Sequence, residues 1–404
     1  MEKHTHTFNA LLYAISNGIE RASYYGIRSI LILYMVSESL GMTRFEALGF
    51  YGWLTLSFYL SKVIGSLLGD LLIGNKLAIL FGGLLQTLGC FLLCFSSMSF
   101  LYIGVGLLVI GNGLFSPNVL AQFGKQYSNK PKIIDAGFSG LFFFINIGAF
   151  LGVMLIGLVG SENFSYGFIF GGILMLLATL IGFFNTDEDL GTKKMPLNYI
   201  NVIHILFVFV AITFSGIFWA CYEMSSGLTS MYIFDSGLEF SHWMNITSGS
   251  GIVFTLILAI IWTFIYTNQF AKFCIGLMFS ALALGLMISF SENSEEGSTM
   301  ILIASGLLLA LSEAFLSPML YAITTKYSNP KYLAIILSVV SLPILIFNKI
   351  AGVISEQSSE LNESTIFIVT SVILVVVAII ASIMWFVQKN TDKNGIFKKT
   401  IKLD

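Results

Sequence analysis

Charge is what this chain has least of: Asp, Glu, Lys and Arg make up 10% of its 404 residues, while 56% are hydrophobic and the mean hydropathy is +0.88. So little polar surface cannot cover a water-soluble globule of this size, which excludes a soluble enzyme or binding domain as the main body. Histidine is scarce as well. His4, His6, His204 and His242 show no His-x-x-x-His spacing, and no Gly-x-Ser-x-Gly or His-Glu-x-x-His string occurs. No metal, cofactor or catalytic nucleophile is therefore expected, and the chain does not read as an enzyme. The four cysteines, Cys90, Cys94, Cys221 and Cys274, all fall in apolar runs, where they pack as small hydrophobes rather than pair as disulfides. Ten-residue strand alternation is missing too, which removes a membrane β-barrel.

What is present is a series of apolar runs of roughly 18 to 27 residues, each long enough to cross about 30 Å of hydrocarbon as a helix. Twelve are expected, over 9–35, 46–69, 77–96, 99–123, 136–159, 166–184, 200–234, 243–266, 271–290, 299–325, 333–354 and 366–387. The chain is thus expected to be an all-α integral membrane protein whose principal partner is the lipid bilayer, with no nucleic-acid partner. The first run begins after eight residues, shows no cleavage site and carries Arg21 and Arg28 inside it, so it reads as a permanent first helix. Its loops sort by charge. With the N-terminus in the cytoplasm, Lys3, Lys76, Lys125, Lys130, Lys132, Lys193, Lys194 and the lysines near the C-terminus fall on one side, while Glu38, Glu162, Glu239, Glu295 and Glu360 fall on the other. That asymmetry obeys the positive-inside rule and places both termini in the cytoplasm of a multi-pass cell-membrane protein.

Two halves are suggested by a repeat. Ser116-Pro117 followed by Tyr127-Ser128-Asn129-Lys130-Pro131-Lys132 is echoed by Ser317-Pro318 and Tyr327-Ser328-Asn329-Pro330-Lys331, half a chain later. The acidic and basic stretch 185–198, with Gly191 and Pro196, reads as a solvated linker between them. The expected organisation is a six-helix bundle over 1–184, the linker over 185–198, a second six-helix bundle over 199–387 and a tail over 388–404. Two pseudo-symmetric six-helix bundles in parallel orientation resemble the major facilitator fold, whose ligand site lies at the midplane. Gly65 with Gly69 and Gly148 with Gly152 are spaced for close helix approach. The string Gly65 to Asp70 followed by Gly74-Asn75-Lys76 resembles the major-facilitator loop in which an acid and a base, here Asp70 and Lys76, latch one conformation.

Seven charges lie inside apolar runs: Glu20, Arg21, Arg28, Lys62, Glu223, Glu313 and Lys349. Each costs about 2.5 to 3.5 kcal/mol at the helix centre, so they are expected to be paired or hydrated. Arg21 and Arg28 are seven apart and share a helix face with Tyr24, an arrangement that can hold an anion bidentately or serve as a static salt-bridge network. Lys349, near a run's end, is expected to snorkel to an interface.

The run Asn17-Gly18-Ile19-Glu20-Arg21-Ala22-Ser23-Tyr24-Tyr25-Gly26 resembles the first-helix motif of the proton-dependent oligopeptide transporters, E-x-x-E-R-F-x-Y-Y-G. Asp135-Ala136-Gly137-Phe138-Ser139 leading to Asn146 is similar to that family's fifth-helix motif, Phe218-Trp219-Ala220-Cys221-Tyr222-Glu223 to its seventh, and Ser312-Glu313-Ala314-Phe315-Leu316-Ser317-Pro318 to its tenth. The resemblance implies a substrate site made by Arg28, Tyr24, Tyr25, Tyr59, Asn146, Trp219, Glu313 and Ser317. Arg28 would meet a peptide carboxylate and Glu313 the amino terminus. It implies proton coupling through Glu20, Arg21 and Glu223. The implied activity is import of di- and tripeptides by proton symport through alternating access, with small peptides and protons as partners and no required oligomer.

The chain departs from the motifs at Asn17, where the family has Glu, and at Ser116, where it has Lys. Lys62, one turn after Tyr59, is expected to replace that lysine as the mobile partner of Glu20. The departures keep open a related carrier for amino acids or other peptide-like zwitterions with altered or absent proton coupling, and a peptide sensor that binds without transport.

Overall fold

The computed structural model describes residues 5–185, 202–235, 240–290, 295–357 and 363–393; among these the chain is almost wholly helical and contains no strand. The expected linker beyond Asn185 and the tail beyond Lys393 lie outside the described residues. The helices are α1 (Phe8–Val36), α2 (Arg44–Leu68), α3 (Asn75–Leu92), α4 (Met98–Lys125), α5 (Ile134–Glu162), α6 (Phe164–Phe184) and α7 (Val202–Asp235). They continue with α8 (Phe240–Phe264), α9 (Gln269–Phe290), α10 (Glu295–Tyr327), α11 (Leu333–Val340), α12 (Leu342–Gln357) and α13 (Glu363–Lys393). Ten spans among the described residues are long and apolar enough to cross a membrane. With the charge-bearing α1 and with α8, they match the twelve expected crossings, because α11 and α12 divide a single one.

Local chemistry explains the ends and breaks. Thr7 caps α1 by accepting from the Ala10 amide at 3.3 Å, and Thr43 with Glu46 forms a reciprocal capping box at the start of α2. The eleventh run divides at Ser341, two residues before Pro343, whose ring removes a donor and clashes with the preceding turn. A π-helical turn over Gly69–Ile73 ends α2, and Gly74 at φ 83° turns the chain into α3, a backbone region that other residues rarely adopt.

The chain divides into two compact units. The first comprises Met1–Ile205 with Thr324–Leu342, so the end of α10 and all of α11 pack on the first six helices. In it α1 lies against α5 and α6, α3 against α4 and α6, and α2 against α4. The α1–α5 crossing is tight because it is lined by glycine: a Cβ at Gly148 would strike the carbonyl of Gly18, and one at Gly152 the carbonyl of Ala22. Its core gathers Ile27, Leu31, Tyr34, Phe58, Leu101 and Phe168. The second unit comprises Leu206–Ile323 and Pro343–Asp404. Here α13 packs on α9, and Phe207, Phe214, Phe270 and Phe273 form a continuous ring cluster. Large apolar side chains such as Trp53, Leu72, Phe209 and Phe264 stay exposed, as expected of faces that meet lipid. Lys349 is exposed as well. All four cysteines are free.

Candidate functional site

Helix α1 enters the first unit with its polar residues on one side. Glu20 is fully buried and Arg21 nearly so. The Arg21 Nε donates to Glu20 Oε2 at 2.7 Å, the Asn112 side chain on α4 donates to Glu20 Oε1 at 2.8 Å, and Arg21 Nη2 donates to Ser116 Oγ at 2.8 Å. Both carboxylate oxygens are thus occupied. Ser116, where the resembled family has a lysine, serves as a hydroxyl acceptor for the neighbouring arginine.

Two turns along α1, Arg28 is half-buried and held differently. Its Nε donates to the Tyr51 hydroxyl at 2.9 Å, Nη1 to the Tyr24 hydroxyl at 2.7 Å and Nη2 to Thr55 Oγ1 at 3.0 Å. The Thr55 hydroxyl itself donates to the Tyr51 carbonyl at 3.0 Å, which leaves its lone pair facing the guanidinium. A guanidinium has five N–H groups, so two remain, one on each terminal nitrogen. Among the described residues no carboxylate of the same unit lies within ion-pair distance of Arg28. The result is a planar, oriented fork whose neutral supports leave room for one carboxylate.

Tyr24 sits between the two arginines, its ring 5.0 Å from Arg21 and 5.3 Å from Arg28, and it meets Phe58 edge-on at 5.0 Å. Tyr25 is exposed and stands edge-on to Tyr24 at 5.1 Å. On α2, Tyr51, Thr55, Tyr59 and Lys62 follow at helical spacing and are all half-buried. The Lys62 ammonium lies 5.2 Å above the Tyr59 ring. It does not pair with Glu20, whose oxygens Arg21 and Asn112 already hold. Asn146 is half-buried on α5.

At one end of the unit, Asp70 joins a second network. Its Oδ1 accepts from Asn75 at 2.9 Å and its Oδ2 from the backbone N–H of Ile335, in the first turn of α11, at 3.0 Å. Asn75 also donates to Asn118 at 2.6 Å and accepts from Lys125 Nζ at 2.6 Å, while Ser66 and Ser338 share a hydrogen bond at 2.8 Å. A carboxylate at the start of a helix meets free amides and the positive end of the helix dipole. Lys76 begins α3 beside Asn75 and is half-buried.

In the second unit, Trp219 meets Phe218 at 5.5 Å and Tyr222 at 5.3 Å. Helix α10 packs its rear on α9, with Ser312 Oγ donating to the Gly276 carbonyl at 2.8 Å and Phe315 set against Phe279 at 5.8 Å. Glu313 and Ser317, one turn apart on another side of α10, are left half-buried. Tyr222 is within electrostatic reach of both Glu313 and Glu223, and Glu223 is exposed. No cation of the described part of this unit comes within ion-pair distance of Glu313.

Within each unit, therefore, expected residues converge: Glu20, Arg21, Tyr24, Arg28, Tyr59 and Lys62 in the first, Trp219, Glu223 and Glu313 in the second. Asn112, Tyr51, Thr55, Asn75, Asn118 and Lys125 were not anticipated. Tyr51 and Thr55 carried a usable signal, being one helical turn apart and one turn before Tyr59; uncharged Asn112 and Asn118 carried none.

A family profile described as "POT family" matches residues 76–196. An uncharacterized transporter, YclF, of Bacillus subtilis (strain 168) is 24% identical, over 78% of this chain and 80% of its own length. Dipeptide and tripeptide permease B of Aliivibrio fischeri (strain MJ11) is 30% identical over 48% of this chain, so the match spans only 40% of that permease. Among solved structures, a POT family transporter in complex with a thioalcohol-conjugated peptide superposes with a TM-score of 0.66 at 20% identity, covering 94% of this chain and 96% of the other. At that identity the likeness speaks for the fold.

Proposed function

We propose that the chain is a member of the POT family and a secondary active transporter that imports di- and tripeptides by proton symport through alternating access. The observation that carries this reading is the Arg28 fork: a cation at membrane depth, oriented by three neutral oxygens and still holding two unused donors. A side chain kept there at a cost has use for an anion that arrives and leaves. In this reading Arg28 takes the peptide carboxylate and Glu313 the amino terminus, while Tyr24, Tyr25, Tyr59, Asn146, Trp219 and Ser317 accommodate side chains. Aromatic rings suit that task, because they offer broad apolar faces with few strict hydrogen-bond demands.

Proton coupling is proposed to run through Glu20, Arg21 and Glu223 with Lys62 as a mobile cation, and Asp70 with Lys76 to act as a conformational latch. The protein would sit in the cell membrane with both termini cytoplasmic, work without a cofactor or obligatory oligomer, and catalyse no covalent chemistry. One observation favours weakened coupling: Arg21 bonds Ser116, so the site where related motifs carry a lysine adds no charge that could move. Dialanine uptake into proteoliposomes, with and without an acid-outside gradient, tests both points. Accumulation that follows the gradient supports symport, uptake that ignores it makes the chain a facilitated carrier, and binding without exchange makes it a sensor.

A further inference from the structure

We propose that the anchor on the first unit is built for a ligand with two carboxylates, so that peptides bearing an Asp or Glu side chain are the preferred cargo and Lys62 is the residue that selects them. The inference rests on the peptide-carrier reading and deepens it by naming the substrate class.

The charges on this face carry it. Arg21, Arg28 and Lys62 stand against one carboxylate, Glu20, and Glu20 is consumed by Arg21 at 2.7 Å and Asn112 at 2.8 Å. Arg28 and Lys62 are left, each without a carboxylate of its own unit within ion-pair distance among the described residues. No acid stands in reserve one turn before Glu20 either, because the residue there is Asn17, which is buried and neutral. Lys62 nevertheless lies in the electrostatic field of Arg21, Glu20 and Arg28, so the cations share one region. Two unpaired cations on one face at membrane depth are costly, and the cost disappears when anions meet both.

Geometry fits one small ligand. Thr55, which holds Arg28, and Lys62 are seven residues apart on α2, about 10 Å along the axis, with Tyr59 between them. The Tyr59 ring lies beneath the ammonium, 5.2 Å away, and supports it without neutralising it. An extended dipeptide covers about 3.3 to 3.6 Å per residue before its side chains are counted. One carboxylate can therefore take the fixed fork of Arg28 while a second meets Lys62, whose four-carbon stem lets it adjust.

The test measures thermal stabilisation of the purified protein, and competition against dialanine counterflow in proteoliposomes, with Ala-Ala, Glu-Ala, Ala-Glu and Lys-Ala. The expected result is half-effects of the acidic peptides at concentrations about tenfold below those of Ala-Ala. That ratio should collapse toward one in Lys62→Gln, survive in Lys62→Arg and invert in favour of Lys-Ala in Lys62→Glu. Equal affinities for Ala-Ala and the acidic peptides in the unaltered protein, or a ratio that survives Lys62→Gln, overturns the inference alone. If none of the peptides binds, the peptide-carrier reading falls and takes the inference with it.

Discussion

In the first unit the buried acid is matched on the spot: Glu20 meets Arg21 and Asn112, and two turns along α1 Arg28 joins α1 to α2 through Tyr51 and Thr55. The second unit treats its acids otherwise. Glu313 stands on α10 with no cation of that unit in pairing range among the described residues, in a region furnished by Tyr222 and Trp219. The first unit thus ties its buried acid into direct bonds and keeps two cations without a carboxylate of that unit in pairing range, while the second carries a carboxylate with no such cation, among the described residues. Taking away one partner of a buried pair strands the other charge, whereas a buried charge with no partner is already held at a cost that its removal relieves.

Removing one acid from each unit tests this contrast most strongly. Glu20→Gln leaves the Arg21 guanidinium buried without its counter-charge and should lower stability by about 3 kcal/mol or more, read as a fall in thermal midpoint in detergent. Glu313→Gln removes a charge that no cation among the described residues of its unit compensates and should leave the midpoint unchanged or raise it. Equal falls in both variants would erase the distinction. Next in size, Arg28→Ala should weaken peptide binding roughly a hundredfold, because charge-assisted bonds of about 1.5 to 3 kcal/mol are lost; its thermal midpoint should move far less than that of Glu20→Gln. Ligand titration followed by calorimetry checks both quantities.

A smaller effect is expected at the end of the first unit. Asp70→Ala removes the acceptor for the Ile335 amide and for Asn75, and should raise hydrogen exchange at the start of α11 by about tenfold, for a loss on the order of 1 to 1.5 kcal/mol. Protection of α9 and α13, in the second unit, should not change.

The smallest effect concerns His6, whose Nδ1 shares a 2.9 Å hydrogen bond with the buried Tyr127 hydroxyl before α1 begins. Burial first, and Lys130 second, hold this imidazole below the ordinary histidine range. A histidine whose folded value is depressed binds its proton more readily when released, so the contact is retained above about pH 6.5 and weakens as the pH falls below it. Exchange at the α1 N-terminus should rise at pH 5.5 in the parent protein, and a His6→Gln variant should lack that pH dependence.

Much of this was readable in the chain. Twelve crossings follow from apolar run length, and the shared face of Arg21, Tyr24 and Arg28 follows from helical spacing, since both are set by residues near one another in sequence. The glycines at 148 and 152 also advertised a close crossing. Pro343 hinted at the divided eleventh crossing but did not locate the break at Ser341. The expectation for Lys62 missed the rival partners of Glu20: Asn112 is uncharged and lies 92 positions away, so no count of charges could find it. For the same reason the bond of Asp70 to the α11 amide at 335, 265 positions on, stayed hidden.

Composition and periodicity alone settle that this chain lives in lipid, how its helices are bounded and which few charges it tolerates there, because insertion energetics act on each segment separately. Packing chose the partners: which carboxylate oxygen is filled, which guanidinium keeps spare donors and which lysine sits over a ring rather than against a carboxylate, among the described residues. Such choices depend on short-range contacts between distant stretches, where a difference of one ångström separates a bonded pair from a charge still waiting for one.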